Sequence, residues 1–195
     1  MSKKHIAIFA SGSGSNARKI LEYFEDREDV EVALIVSNKK KAGVRHHAKE
    51  FGVPTLIIDR PFFYDAKGIL KVLSKEKVDL VVLAGFLWLI PKYLIEAYPD
   101  KIVNIHPALL PKYGGKGMFG HHVHEAVKAN NEKESGMTIH YVNEHFDEGN
   151  HIFQAKCSLD ECDSAEDIAK KVLKLEHAHY AREIDGLLST KKESI

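Results

Sequence analysis

The sequence predicts an α/β protein: a mostly parallel, twisted sheet with helices on both faces, a C-terminal antiparallel strand pair and a long C-terminal helix. Three observations carry this. Short, continuous apolar runs alternate with amphipathic stretches of helical period through the first two-thirds of the chain. Those runs lack the in–out alternation of a half-solvated strand, so each reads as a strand covered on both faces. The pattern then changes to two neighbouring strand-like stretches, followed by a sustained helical period.

Ile6-Ala7-Ile8-Phe9-Ala10, closed by glycines, is the first buried strand. Over residues 16–25, Ala17, Ile20, Leu21 and Phe24 recur at helical spacing. Residues 32–36 read as a second strand, and residues 42–51 as a helix stopped by Gly52 and Pro54. Residues 55–58 form a short third strand, and Ile69, Leu70, Val72 and Leu73 mark a further helix. Leu80-Val81-Val82-Leu83-Ala84 is the clearest strand, continuous, β-branched and ended by Gly85. Residues 91–97 suit a short helix with Pro91 in its first turn, and residues 101–106 the next strand. Residues 109–120, with Pro111 and four glycines, read as loop, and residues 122–129 can form a helix. Met137, Ile139 and Tyr141 alternate with Thr138 and His140, predicting a strand with two unlike faces over residues 136–142. Residues 152–158 pair with it and extend the sheet. Ser164 and Asp167 form a capping box for a long helix carrying Ile168, Val172, Leu175, Ile184 and Leu187 on one side. Residues 191–195 read as a frayed tail. Neither a repeat nor a linker divides the chain, so residues 1–195 are expected to form one domain.

The composition narrows the function. With 195 residues, 44% of them hydrophobic, the chain can bury a full core. Lys plus Arg and Asp plus Glu balance at 28 each, which argues against a nucleic-acid partner, since phosphate-backbone affinity rests on surplus cations. Cys157 and Cys162 are too few for a disulfide scaffold and are not spaced as a zinc knuckle. The start lacks a signal peptide's apolar segment, and no apolar run reaches the ~20 residues that cross a bilayer. The cytoplasm is the expected compartment, with no membrane partner.

Ser11-Gly12-Ser13-Gly14-Ser15-Asn16-Ala17 lies between a predicted strand and a predicted helix. Glycines let backbone approach an anion, and a helix N-terminus supplies free N–H groups and partial positive charge. A tight turn with Ser or Asn as N-cap reads equally well from the residues. The loop also fits G-x-G-x-x-A, the dinucleotide fingerprint of Rossmann-like sheets, but the acid that would hold a ribose is missing. The second strand instead runs into Lys39-Lys40-Lys41, which leaves a phosphorylated dinucleotide open. A simple phosphate ester is the more economical ligand.

Asn104-Ile105-His106-Pro107 closes the fifth strand, so Asn104 and His106 project from one face at the carboxyl end of the sheet, where ligands of open α/β sheets gather. The pair suits chemistry at a carbonyl. An amide donor can stabilise a developing oxyanion, worth ~3 kcal/mol, and an imidazole can shuttle a proton near neutral pH. A hydrogen-bonded polar pair at a strand end is the plainer reading. Asp147, in the turn-like Phe146-Asp147-Glu148-Gly149, would raise the pKa of His106 and orient a water if the fold brought it there, and is otherwise a solvated turn residue. His121-His122-Val123-His124-Glu125 lacks the H-E-x-x-H arrangement; His121 and Glu125 share a helix face without an apparent third ligand, so no metal site is expected.

Several of these runs together resemble the phosphoribosylglycinamide formyltransferases, within the folate-dependent formyltransferase family. They are Ile8 to Asn16, Val81-Val82-Leu83-Ala84-Gly85-Phe86, Val103 to Tyr113 with its Asn-Ile-His-Pro-Ala-Leu-Leu-Pro core, Gly136 to Val142, Phe146 to Gly149, and Leu175-Glu176-His177. They keep the family's order over nearly the whole chain. The resemblance implies 10-formyltetrahydrofolate as co-substrate without a metal, and the amine of 5-phosphoribosyl-glycinamide as acceptor, in purine biosynthesis. It implies that Gly12, Gly14, Ser15 and Asn16 hold the phosphate, Pro107 the glycinamide end and Glu176 the ribose hydroxyls. Leu87, Trp88, Leu89 and Ile90, with Asn104, would line the folate pocket, and Asn104, His106 and Asp147 would be catalytic. Asn104 and a protonated His106 would stabilise the tetrahedral oxyanion, while His106 and an Asp147-held water move the proton. A phosphate-binding half of about residues 1–100 and a folate and catalytic half of about residues 80–190 follow, and a homodimer stays open.

Two departures matter. Trp88 stands where some relatives carry an arginine, so a stacked ring could replace a charge pair at the folate tail. The glycine-rich stretch 114–121 is longer than the family's pattern and predicts a mobile loop over the site. Among rivals, a methionyl-tRNA formyltransferase would need a further tRNA-binding domain. A 10-formyltetrahydrofolate hydrolase would need no phosphate loop, and a nucleotide-binding module would have no catalysis.

Overall fold

The computed structural model describes residues 3–64, 68–160 and 164–189. The alternation is realised as β1 (Lys4–Phe9), α1 (Ser15–Phe24), β2 (Val30–Ser37), α2 (Val44–Glu50), β3 (Thr55–Ile57), α3 (Arg60–Tyr64), α4 (Gly68–Lys75), β4 (Leu80–Leu83), α5 (Lys92–Ala97), β5 (Ile102–His106), α6 (His121–Ala129), β6 (Glu134–Tyr141), β7 (His151–Ser158) and α7 (Ala165–Ser189). Most expected elements are present within a few residues of their expected ends. The short α3 was not foreseen: its first turn is held by Asp59, whose side chain accepts the Phe62 N–H at 2.9 Å, a local capping bond rather than an apolar period. Pro91 caps α5 instead of entering it. Cys162 and the tail 191–195 lie outside the described residues.

The seven strands make one sheet in the order β3-β2-β1-β4-β5-β6-β7. The first five pair in parallel, and β6 and β7 run antiparallel. The order reverses direction between β1 and β4, which opens a crevice at their carboxyl ends.

The continuous apolar runs have a plain cause. Alternate residues of one strand enter two separate cores. Ile6, Ile8, Val82 and Val103 pack with Ile20, Val172 and Ile184 beneath α1 and α7. Ala7, Phe9, Val81 and Leu83 pack with Phe63, Ile69, Leu73 and Leu94 on the opposite face. Each fully buried Ile or Leu contributes roughly 1.5–3 kcal/mol relative to exposure, so both faces stabilise the sheet.

The two unlike faces of β6 are both buried. Thr138 and His140 are 0% and 2% exposed. The chain segment after β5 folds over them: Thr138 Oγ1 donates to the Ala108 carbonyl (2.7 Å) and accepts from the Leu110 N–H (3.0 Å) and Gln154 Nε2 (2.9 Å). Thr138 is thus satisfied by that segment and by β7, whereas His140 bonds the Tyr141 carbonyl and Asn104 of β5.

The N-cap half of the expected capping box is present, and its reciprocal bond goes to the Ser164 hydroxyl. Ser164 Oγ accepts the Asp167 N–H (3.2 Å) and donates to Asp167 Oδ2 (2.8 Å), while Glu166 and Asp167 sit favourably at the positive end of α7. Farther along, the buried Tyr180 hydroxyl donates to the Leu83 carbonyl (2.9 Å), with the Val103 carbonyl 3.4 Å away, and ties α7 to β4 and β5. Among the described residues no helix is long and apolar enough to cross a membrane.

Candidate active site

The crevice holds a cavity of about 650 Å³ built from the loops after β1, β4 and β5, the 115–121 loop, the turn around Asp147, and α7. Every site residue expected from the sequence lines it: Gly12, Gly14, Ser15 and Asn16, then Leu87 to Ile90, then Asn104, His106, Pro107, Asp147 and Glu176.

In the glycine loop, neither Ser nor Asn caps α1, contrary to the capping alternative. Gly14 is the N-cap residue, in a left-handed conformation at φ 81°. A Cβ there would also meet Val44 Cβ at 2.6 Å, so only glycine fits. The first turn of α1 is thereby left without a side-chain cap, beside the cavity that Gly14, Ser15 and Asn16 line. The Asn16 side chain reaches α7 instead, and its Nδ2 donates to Glu176 Oε2 at 2.6 Å. Glu176 is 7% exposed, and burial pushes its carboxyl up to about 7 despite that hydrogen bond. Ser11 joins the β1 and β4 loops by accepting the Leu87 N–H at 3.0 Å.

Asn104, His106 and Asp147 converge although 43 positions separate Asn104 from Asp147. His106 is 4% exposed; its Nδ1 lies 3.4 Å from Asp147 Oδ2. Its Nε2 is 2.7 Å from the Tyr113 carbonyl. A carbonyl only accepts, so Nε2 carries the hydrogen and Nδ1 is the basic nitrogen of the neutral ring. Tyr113 and Asp147 both hold left-handed backbones, at φ 58° and 59°, a strained geometry typical of functional sites.

The pKa of His106 corrects an expectation. Asp147 was expected to raise it, and its charge does act upward, as does the Tyr113 carbonyl. Burial acts downward and, with His140, outweighs both, so the pKa lies below the ordinary imidazole value. The resting ring is neutral. Burial alone would raise the Asp147 carboxyl, but His140, the His106 charge and the Gly115 N–H (3.0 Å) together lower it, so it is ionised.

His140 is a site residue that sequence reasoning missed. Its Nδ1–H donates to the Tyr141 carbonyl (2.8 Å), and its Nε2 lies 3.1 Å from Asn104 Nδ2 and 3.6 Å from Asp147 Oδ1. Asn104 is thereby oriented; among the described residues the other partner of its amide nitrogen is Asp147 Oδ1, at 3.5 Å. The antiparallel register Asn104↔His140 makes this pairing, and nothing in the sequence reports that register. The carbonyl of Tyr113 and the N–H of Gly115 were missed for the same reason: backbone groups leave no mark on composition.

The wall expected to hold folate is apolar and aromatic. Trp88 packs against Phe63 (ring centroids 5.6 Å apart) and Phe86 (6.1 Å), with the Arg60 guanidinium 5.2 Å from its ring centre. His122 supplies the third potential ligand that the sequence did not reveal beside His121 and Glu125; the donor atoms lie within 4.8 Å of one another. All three are exposed, at the N-terminus of α6, where the helix dipole opposes a cation. Cys157, half-buried on β7, takes no part in the cavity wall.

A chloroplastic phosphoribosylglycinamide formyltransferase of Arabidopsis thaliana is 41% identical over 191 residues, covering 95% of this chain and 65% of that protein. Its counterpart in Vigna unguiculata is 40% identical with 61% of its length covered, so the chain spans slightly less than two thirds of these plant relatives. The phosphoribosylglycinamide formyltransferase of Bacillus subtilis (strain 168) is 38% identical over 95% of both chains. The solved structure of phosphoribosylglycinamide formyltransferase from Bacillus halodurans superposes with a TM-score of 0.86 at 36% identity over 96% of both chains. The family model described as "Formyl transferase" matches residues 4–184, and with the crevice and its convergent polar residues this places the chain in the formyl transferase family.

Proposed function

We propose that this chain transfers a formyl group from 10-formyltetrahydrofolate to the amine of 5-phosphoribosyl-glycinamide, a step of purine biosynthesis. One observation carries the reading: a glycine-built helix N-terminus and the cluster Asn104, His106 and Asp147 open into the same cavity. The first suits a phosphate ester and the second suits carbonyl chemistry, so a phosphorylated amine and an acyl donor can share one space. The cavity volume of about 650 Å³ lies within the range of sites for ligands of this size, and its apolar wall at Leu87, Trp88, Leu89 and Ile90 suits a flat ring system.

The folate supplies the formyl carbon. Gly12, Gly14, Ser15 and Asn16 hold the phosphate of the acceptor, Glu176 its ribose hydroxyls and Pro107 its glycinamide end. Asn104 donates its second amide hydrogen to the formyl oxygen as that oxygen gains charge. A bond forms from the amine nitrogen to the formyl carbon, and the bond from that carbon to the folate nitrogen breaks. His106 Nδ1 takes the proton lost by the amine and, with a water held by Asp147, returns it to the departing nitrogen. Between these transfers the imidazolium faces the Asp147 carboxylate. Each role is filled by a group of the chain, and the reading is metal-independent. We also infer that the chain acts as one domain, with phosphate binding in about residues 1–100 and folate binding and catalysis in about residues 80–190. A cytoplasmic setting belongs to the same proposal.

The test is deformylation of 10-formyltetrahydrofolate, followed by absorbance with and without 5-phosphoribosyl-glycinamide. Amine-dependent turnover is expected. Turnover without the amine would indicate a hydrolase, and no turnover under either condition would overturn the reading in favour of a binding module.

A further inference from the structure

α6 presents a residue that the mechanism above does not use. His124 is 6% exposed, beside Val123 and Val127, which are 0% and 1% exposed, so it occupies a core position of the helix. Its ring nevertheless lines the cavity that holds His106. Its Nδ1 is sealed from solvent and has no hydrogen-bond partner among the described residues. A leucine would fill the position without stranding a nitrogen, whereas an imidazole leaves a buried polar atom unpaired at a cost in stability. Such a residue is informative because packing alone disfavours it.

With Nδ1 sealed, the ring can meet a ligand only through Nε2. The sealed nitrogen bears its lone pair more readily than a proton, because orphaned buried N–H groups are rarer than orphaned acceptors. Nε2 then carries the hydrogen and is a donor. Burial and the nearby His106 hold the pKa of His124 below the ordinary value, so the ring is neutral. The part of the cavity wall that α7 contributes is apolar at Ala169, Val172 and Leu173 and carries one polar group, Glu176. A donor and an acceptor in one cavity suit a ligand bearing several oxygens.

We propose that His124 is a substrate-binding residue whose Nε2–H donates to an oxygen of the phosphorylated amine. This rests on the function proposed above. The experiment is steady-state kinetics on the full chain with 5-phosphoribosyl-glycinamide and 10-formyltetrahydrofolate, for the wild type, His124→Leu and His124→Gln. Gln can place an N–H near the Nε2 position, and Leu cannot. In His124→Leu, KM for the amine should rise about tenfold, the size of one good hydrogen bond, with kcat and KM for the folate within about twofold. His124→Gln should lie nearer the wild type. The melting temperature of unliganded His124→Leu should equal or exceed that of the wild type, since the stranded nitrogen is gone. An unchanged KM for the amine in His124→Leu overturns the proposal. So does equal loss in both variants with a lowered melting temperature, which would mark a packing role. If wild-type turnover does not depend on the amine, the proposed function fails and this assignment with it; a normal wild type with an unaltered His124→Leu sinks the assignment alone.

Discussion

Single side chains at the site are governed by burial. His106 is a neutral base because burial outweighs the pull of Asp147. The rate should therefore be lost on the acid side, as pH falls through a value below the ordinary imidazole pKa. In Asp147→Asn the upward pull disappears, so that acid limb should move to still lower pH. Turnover should also fall at least about hundredfold, because the imidazolium formed in mid-reaction loses its counter-charge. A pH–rate profile of kcat/KM checks both signs, and an acid limb displaced upward would refute this view of the pair. Glu176 behaves oppositely. Its folded pKa of about 7 lies above the ordinary 4.5, so the folded state binds its proton more tightly than the unfolded state. The associated stability is fully present below 4.5 and is lost as pH rises through about 7, on the order of 3 kcal/mol in all. Glu176→Gln removes that loss. Denaturant titrations at pH 5 and 8 should show the variant gaining on the wild type at the higher pH.

At the scale of elements, α7 decides whether the site is assembled. It carries Glu176 to Asn16 of α1; its start is fixed by the local cap at Ser164, and the Tyr180 hydroxyl holds it to the sheet. Tyr180→Phe removes the hydrogen bond from its hydroxyl to the Leu83 carbonyl without altering shape. The cost should be about 1–2 kcal/mol, a fall in melting temperature of roughly 3–6 °C by calorimetry. β6 works in a different way. By pairing antiparallel to β5 it sets His140 opposite Asn104, and its other polar residue, Thr138, pins the segment that carries Pro107 toward Tyr113. The loop that covers this strand therefore also supplies the carbonyl that selects the tautomer of His106.

Across the whole molecule, the site lies where the sheet order reverses, between two hydrophobic cores. The loops after β1, β4 and β5 and the distant α7 all contribute to one cavity. A ligand filling it bridges both halves of the sheet and binds only the folded chain. A folate at 100 times its Kd should therefore stabilise the protein by ~2.7 kcal/mol, seen as a rise in melting temperature that grows with folate concentration. Wild-type protein that melts at one temperature whatever the folate concentration would speak against the cavity as the folate site.

The sequence by itself determined the strands and helices of the parallel part, because residues such as Ile6 to Phe9 and Leu80 to Leu83 feed two cores and must be apolar throughout. It also determined the glycine loop, the Asn104–His106 pair and the cap at Ser164, since each is a local pattern with a period or spacing of its own. Only the tertiary structure decided that Asp147 meets His106, that His140 orients Asn104, and that Asn16 turns away from its helix to Glu176. These are contacts between distant segments, set by register and by loop cover, which leave no periodicity along the chain. The protonation of His106 likewise depended on the fold, because burial, a property of the surrounding atoms, outweighed the one charge that the residues could name.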